Sequence, residues 1–118
     1  NDIAPSCYFW QTQWWMSTLK ESPLERVEKI GGWCRHIDNP LSREQCYRGL
    51  AQSSGQFARY DPDTTLLYCA AAAETDEDMF YCLSEAVNLY RTVDFVENSP
   101  TVLCTGLPEP YAQQCLAY

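Results

Sequence analysis

The spacing of the cysteines constrains the fold of this chain more than any other feature of its sequence. Seven cysteines occur among 118 residues, and three of them recur at intervals of 35 residues: Cys34, Cys69 and Cys104. A second cysteine follows each of these after 10 to 12 intervening residues: Cys46, Cys82 and Cys115. A fixed period of about 35 residues is typical of repeats built from helical hairpins.

Helix boundary signals agree with this period. A small polar residue and a proline precede each first cysteine, in the pairs Ser22-Pro23, Asp61-Pro62 and Ser99-Pro100. This order is that of an N-cap followed by proline at the first helical position, where its missing N–H costs nothing. Before the second cysteines, two pairs have the spacing of a capping box: Ser42 with Gln45, and Thr75 with Asp78. The signals therefore predict an all-α chain of tandem antiparallel helical hairpins.

The expected hairpin geometry indicates how the cysteines pair. In an antiparallel hairpin the end of the first helix faces the start of the second, so the two sulfurs of each pair can reach bonding distance. Of the fifteen pairings that six cysteines permit, this geometry favours Cys34–Cys46, Cys69–Cys82 and Cys104–Cys115. Closing a loop of about a dozen residues contributes roughly 2–4 kcal/mol. We predict one domain over residues 1–118, with a partial repeat over 1–20 and stapled repeats over about 22–60, 61–98 and 99–118.

Cysteine usage and charge restrict the compartment and the partners. No two cysteines have C-x-x-C spacing and His36 is the only histidine, so neither a metal site nor a cofactor is predicted. A disulfide framework is typical of oxidising compartments, which favours an extracellular or periplasmic location. The net charge of −8 disfavours nucleic acid and anionic membranes as partners. We expect no transmembrane segment, because no stretch of about 18 apolar residues occurs, and we expect any signal peptide to be absent from this sequence.

The period and the segment QCYRGLAQSSG (residues 45–55) resemble secreted bacterial cysteine-rich repeat proteins of the Sel1-like kind, relatives of the tetratricopeptide repeat. In that family, helical hairpins carry one disulfide from the end of the first helix to the start of the second. The resemblance covers about residues 20–118. It implies protein or peptide binding on a concave face and no catalytic residues. The spacing within each cysteine pair is longer here, and the later repeats lack the glycine pattern.

The N-terminal segment SCYFWQTQWWMSTLK (residues 6–20) has the pattern of a second helix without its first. Cys7 then takes the position of a second cysteine, and because seven is odd at least one cysteine has no partner within the chain. A free buried thiol and a bond to another chain, or to a segment cleaved away, are both open. A catalytic thiol is disfavoured, because nothing in the sequence places His36 near it.

The same segment is the most aromatic part of the chain. Its large apolar residues lie on several faces of a helix, so packing against residues 23–34 covers only part of them. Tryptophan and other aromatic residues are the side chains that most often anchor interfaces. We therefore predict that a partner protein binds Trp10, Trp14, Trp15, Phe9 and Cys7. An aromatic platform for a sugar or a lipid is the alternative.

The acidic segment AETDEDMFYC (residues 73–82) is expected to start a helix, where acids suit the helix dipole; it lacks the alternating ligands of a calcium loop. The sequence as a whole predicts an accessory or structural subunit that binds another protein chain and has no catalytic activity. One alternative is a small-ligand carrier similar to insect odorant-binding proteins, whose close C-x-x-x-C step is missing here. A small hydrolase is a third possibility, for which no nucleophile and base pattern is visible.

Overall fold

The computed structural model of the protein describes residues 3–93 and 100–118, most of which lie in helices. These residues form six α-helices and one 3-10 helix, and contain no β-strand. The α-helices are α1 (Ile3–Thr18), α2 (Pro23–Arg35), α3 (Pro40–Phe57), α4 (Pro62–Ala72), α5 (Asp76–Tyr90) and α6 (Tyr111–Leu116). The 3-10 helix, Pro100–Cys104, lies between α5 and α6. The prediction of an all-α chain is confirmed.

Helices α2, α3, α4 and α5 begin at local capping signals. The side chains of Ser22, Asn39 and Asp61 each accept a hydrogen bond from the backbone N–H three residues further on, and a proline follows each of them. Helix α5 begins with a capping box between Thr75 and Asp78. The predicted caps Ser22 and Asp61 and the predicted box at Thr75 are thus present. The predicted cap Ser99 and the predicted repeat boundary at 98–99 lie outside the described residues.

The capping box predicted at Ser42 and Gln45 is wrong. Helix α3 begins earlier, at Pro40, with Asn39 as its N-cap. The pair Asn39-Pro40 has the same order of polar cap and proline that starts α2 and α4, so the same local signal sets all three starts. Ser42 lies in the first turn of the helix, where its backbone N–H donates to the Asn39 side chain over 3.0 Å.

Three disulfides join successive elements of the chain. Cys34 in α2 bonds Cys46 in α3, Cys69 in α4 bonds Cys82 in α5, and Cys104 in the 3-10 helix bonds Cys115 in α6. The Cα atoms of each pair are 5.6 to 5.7 Å apart, within the usual range. These are the three pairs that the spacing predicts. The remaining cysteine, Cys7, is a free and exposed thiol.

The elements pack in two rows. In the first row α1 contacts α3, α3 contacts α5, and α5 contacts α6; in the second row α2 contacts α4, and α4 contacts the 3-10 helix. Two glycines allow the closest approaches within these rows. A methyl group added at Gly31 would overlap the backbone of Ala72, and one added at Gly49 would overlap the carbonyl of Phe9. The close contacts of α2 with α4 and of α1 with α3 therefore depend on glycine.

The core consists of two clusters that contain the disulfides. One surrounds Cys34–Cys46 and includes Met16, Ile30 and Tyr47. The other surrounds the two remaining disulfides and includes Leu83, Tyr90 and Leu103. The disulfides are thus part of the buried interior. Over the ranges that the structure describes, we find no helix that combines the length and the apolar character needed to span a bilayer.

Candidate partner-binding face

Helix α1 presents two tryptophans to solvent. Trp10 is 66% exposed and Trp14 is 60% exposed, the highest fractions among the exposed large hydrophobic side chains of the described residues. They are four residues apart and therefore neighbours on one side of the helix. Cys7, which is exposed, precedes Trp10 by three residues and lies on the same side. We call this surface, formed by Cys7, Trp10 and Trp14, the α1 face.

The α1 face points away from the protein core. Thr12 and Met16, on the other side of the helix, are fully buried. Because successive helical residues are rotated by about 100°, each of the two tryptophans lies about 160° from Thr12 around the helix axis. The helix therefore packs on α3 with one side and offers the opposite side, with its two indoles, to solvent.

The five residues predicted to bind a partner differ in their exposure to solvent. Trp15 is partly buried and meets Trp33 of α2 edge to face, with ring centroids 4.6 Å apart. Phe9 is half-buried, and its ring contacts that of Trp10 at 5.3 Å. Trp10, Trp14 and Cys7 remain as the exposed group. Partner binding by any of the five stays a prediction.

Helix α1 is uncharged. It contains no Asp, Glu, Lys or Arg, although 20% of the residues of the chain are charged and the net charge is −8. An exposed aromatic surface without charge loses little hydration when it is covered, whereas a charged surface must lose its water or find counter-charges. The α1 face is therefore the part of this acidic surface best suited to burial against another apolar surface.

A cleft of about 410 Å³ lies beside the N-terminal half of α1. Tyr8, Trp33, His36 and Asp38 are among its lining residues. His36 is the C-cap of α2, and its Nδ1 lies 2.6 Å from the carbonyl oxygen of Gly32. Since a carbonyl oxygen can only accept, Nδ1 is the donor of that bond. The cleft thus combines two aromatic rings with polar groups, at a volume that suits a small ligand.

The acidic segment serves helix capping and an ion pair. The Asp78 carboxylate accepts the backbone N–H groups of Glu74 and Thr75, both at 3.2 Å, and two hydrogen bonds from Arg43 at 3.1 and 2.8 Å. Burial raises the pKa of Asp78, but these hydrogen bonds and the charge of Arg43 outweigh burial and hold the pKa below its usual value. Within the described ranges, no group of three or more His, Cys, Asp or Glu side chains is placed to hold a metal ion.

Arg48 is a buried charged residue that the sequence pattern did not single out. Its guanidinium donates to Glu44 at 2.8 Å, to the Ser84 hydroxyl at 2.9 Å and to the Tyr118 hydroxyl at 2.7 Å. It also lies 4.8 Å from the ring centroid of Tyr118. The signal in the sequence is an arginine within the otherwise apolar and small residues of CYRGLA (residues 46–51). Since these bonds engage the guanidinium on several sides, the arrangement ties α3, α5 and Tyr118 together.

Comparisons with known proteins add no relative. No model of a protein family, no curated protein and no solved structure matches the chain. The resemblance to Sel1-like repeats therefore remains a prediction that depends on the cysteine period and the helix pattern.

Proposed function

We propose that this chain is a non-catalytic accessory or structural subunit that binds another protein through the α1 face in an extracellular or periplasmic compartment. The observation that carries the proposal is the exposure of Trp10 and Trp14, at 66% and 60%. A tryptophan can bury about 150–250 Å², and tryptophans are enriched among the residues that dominate binding energy. The three disulfides support an oxidising compartment.

A Sel1-like repeat organisation is part of this proposal. Helices α2 and α4 and the 3-10 helix would be the first elements of three hairpins, and α3, α5 and α6 the second elements. Two observations support it: each disulfide connects a first element to the second element that follows it, and like elements contact like elements along each row. Helix α1 would then be an additional second helix at the end of its row.

The cysteine register relates the α1 face to contacts inside the array. We align helices α1, α3 and α5 on Cys7, Cys46 and Cys82. Trp10 then corresponds to Gly49 in α3 and Glu85 in α5, and Trp14 corresponds to Ser53 and Leu89. Gly49 lies against α1 through the carbonyl of Phe9. Glu85 accepts a hydrogen bond from Gln52 of α3 at 2.6 Å. The α1 face thus corresponds to the side on which each later helix of the row contacts the helix before it, which supports a role in docking.

Replacing the two indoles tests the proposal. We expect the double variant Trp10→Ala/Trp14→Ala to lose a stoichiometric protein partner that co-purifies with the unmodified chain from its native source, with at least tenfold less partner recovered. The matched control is Leu67→Ala, which removes a side chain that is 54% exposed on α4 and should leave recovery unchanged. Far-UV circular dichroism checks that all three proteins are folded. Equal recovery with both variants, or no stoichiometric partner at all, would overturn the proposal.

The cleft beside α1 favours small-ligand binding as a second candidate function. A carrier should show saturable changes in tryptophan fluorescence with small apolar ligands, and Trp33→Ala should abolish them because Trp33 lines the cleft. The double variant of Trp10 and Trp14 should bind such ligands normally. This combination of results would favour the carrier function over the subunit function.

A further inference from the structure

We infer that the cleft beside α1 binds a small organic cation, an ammonium group with apolar substituents. This ligand class rests on the second candidate function, small-ligand binding, and is independent of partner binding by the α1 face. Three features of the cleft point to it: two aromatic rings, one charged residue without an ion-pair partner, and neighbouring basic side chains that are all engaged elsewhere.

Two aromatic rings from different helices line the cleft. Tyr8 belongs to α1 and Trp33 to α2. Trp33 packs against Trp15 and is still 38% exposed, so part of its ring remains open to a ligand. The faces of tyrosine and tryptophan rings carry negative electrostatic potential, which attracts cations and is the basis of ammonium recognition by aromatic side chains. The rings therefore suit an ammonium ligand.

The Trp33 ring already has one ammonium group near it. Nζ of Lys29 lies 5.9 Å from the centroid of the ring, inside the limit of about 6 Å for a cation–π interaction. Lys29 also pairs with Glu21 at 2.8 Å, so its charge is balanced and does not repel a cation in the cleft. The contact within the chain is thus an example of the interaction that a bound ligand would make.

Asp38 supplies the negative charge of the cleft. Among the described residues that line the cleft it is the only charged one, with the imidazole of His36 counted as neutral at pH 7. Asp38 is exposed in the turn between α2 and α3. Over residues 3–93 and 100–118, no basic side chain forms an ion pair with its carboxylate. An unpaired carboxylate beside two aromatic rings favours a cationic ligand over a neutral or an anionic one.

The arginines on either side of this turn are engaged elsewhere. Arg35 lies 3.9 Å from a carboxylate oxygen of Glu74, and Arg43 pairs with Asp78 at 2.8 Å. Neither arginine therefore neutralises Asp38. The net charge of −8 adds an attraction for cations at longer range. The local charge and the charge of the whole chain thus favour the same kind of ligand.

The size of the cleft suits a small ligand with an apolar body. Its volume of about 410 Å³ lies within the usual range of ligand sites. Ile37 lines it beside the two rings, so the methyl or methylene groups of an ammonium ligand can contact apolar surface while the charge lies near Asp38. Because the cleft opens to solvent, salt screens this attraction. We therefore expect an affinity that falls as the ionic strength rises.

Two probes of the same shape test the charge of the ligand. Choline and 3,3-dimethylbutan-1-ol differ in that the quaternary nitrogen of choline is a neutral carbon in the alcohol. In isothermal titration calorimetry of the purified chain at low salt, choline should bind about tenfold more tightly, from one cation–π interaction and one surface ion pair. Raising sodium chloride from about 0.02 M to about 0.5 M should weaken choline binding roughly threefold.

Variants of the cleft test its location. Asp38→Asn should weaken choline binding about fivefold by removing the carboxylate. The matched control is Asp63→Asn, which removes the same charge from an exposed position in the first turn of α4, outside the cleft, and should leave binding unchanged. Trp33→Leu keeps an apolar side chain but removes the ring, and should weaken choline binding about tenfold. Far-UV circular dichroism checks that each variant is folded.

Three outcomes would overturn the inference. Equal binding of choline and the neutral alcohol excludes a cationic ligand and leaves small-ligand binding standing. No measurable binding of choline excludes an ammonium site in this cleft. Equal weakening by Asp38→Asn and Asp63→Asn shows that the net charge, rather than the cleft, attracts the cation. None of these results bears on partner recovery with Trp10→Ala/Trp14→Ala, so the proposed subunit function stands or fails separately.

Discussion

At the scale of single residues, Asp78 both caps a helix and forms an ion pair with another helix. Its carboxylate closes the capping box that starts α5, and it also pairs with Arg43 of α3 across 2.8 Å. The Asp78 side chain is 1% exposed. Because its charge has lost contact with water, its hydrogen-bond and ion-pair partners have to compensate for that loss. Helix capping and helix-to-helix contact are therefore coupled through one buried carboxylate.

We predict that Asp78→Asn lowers the free energy of unfolding by about 3 kcal/mol at neutral pH, because Arg43 loses its buried partner. The folded-state pKa of Asp78 lies below the usual value, so its contribution is present above the unfolded pKa of about 3.9 and is lost as the pH falls through the folded pKa. The difference between the two proteins should therefore shrink below about pH 4. Urea unfolding at several pH values measures it.

The control for this prediction is Asp76→Asn. Asp76 is exposed in the first turn of the same helix, and its loss should cost about 0.5 kcal/mol through the helix dipole alone. A difference between Asp78→Asn and the unmodified chain that stays constant down to about pH 2 would contradict a role for the ionised carboxylate.

At the scale of the elements, two glycines of neighbouring helices differ in what surrounds them. Gly49 in α3 faces the backbone of α1 with no room for a methyl group, whereas Gly32 in α2 has open space where a methyl group would lie. Both lie in helix interiors, where alanine is intrinsically better by about 0.5–1 kcal/mol. The tertiary contact therefore decides whether replacing the glycine helps or harms.

We predict opposite effects for the two alanine substitutions. Gly49→Ala should lower the free energy of unfolding by about 1–3 kcal/mol, because α1 has to shift away from α3. Gly32→Ala should raise it by roughly 0.5–1 kcal/mol through helix propensity. Thermal and urea unfolding of both variants give the comparison, and a stabilising Gly49→Ala would show that α1 does not pack closely on α3.

The last disulfide holds the two shortest elements. The 3-10 helix has five residues and α6 has six, and isolated helices of this length are unstable in water. We predict that Cys104→Ser/Cys115→Ser increases amide hydrogen exchange in residues 100–118 while α2 and α3 keep their protection. Loop-closure entropy predicts that removing this disulfide lowers the free energy of unfolding by about 3 kcal/mol. Cys34→Ser/Cys46→Ser is the matched variant, which removes the disulfide between α2 and α3. Faster exchange in α2 and α3 than in residues 100–118 after Cys104→Ser/Cys115→Ser would contradict the prediction.

At the scale of the whole molecule, Arg48 connects parts of the chain that are far apart in sequence. It bonds to Glu44 within α3, to Ser84 in α5 and to Tyr118, 70 residues away. Its side chain is 5% exposed. Tyr118, α5 and α3 thus share one buried cation.

We predict that Arg48→Met lowers the free energy of unfolding by about 3–5 kcal/mol, since the buried Glu85 loses the charge that compensates its burial and the partly buried Glu44 loses its ion-pair partner. Arg91→Met is the control, because Arg91 is exposed at the end of α5, and it should change stability by less than about 0.5 kcal/mol. Urea unfolding measures both. Equal changes in the free energy of unfolding for the two variants would contradict the role of Arg48 in joining α3, α5 and Tyr118.

The sequence alone was sufficient for the features that depend on neighbouring residues. The caps Ser22 and Asp61 act on backbone groups three residues away, and each disulfide spans 11 to 13 residues. The period of the cysteines was therefore enough to predict helices and pairing together. The same kind of local signal was present at Asn39-Pro40, where the prediction chose Ser42 instead.

Only the tertiary structure decided which sides of α1 are covered and which distant groups satisfy the buried charges. The aromatic residues of α1 look alike in the sequence, yet Trp15 packs on Trp33 while Trp10 and Trp14 face solvent. Asp78 meets an arginine 35 residues away. Helix periodicity gives the angle between side chains of one helix, but burial depends on where the neighbouring helices lie. The surface proposed for partner binding therefore follows from packing, and the staples that support it follow from the spacing of the cysteines.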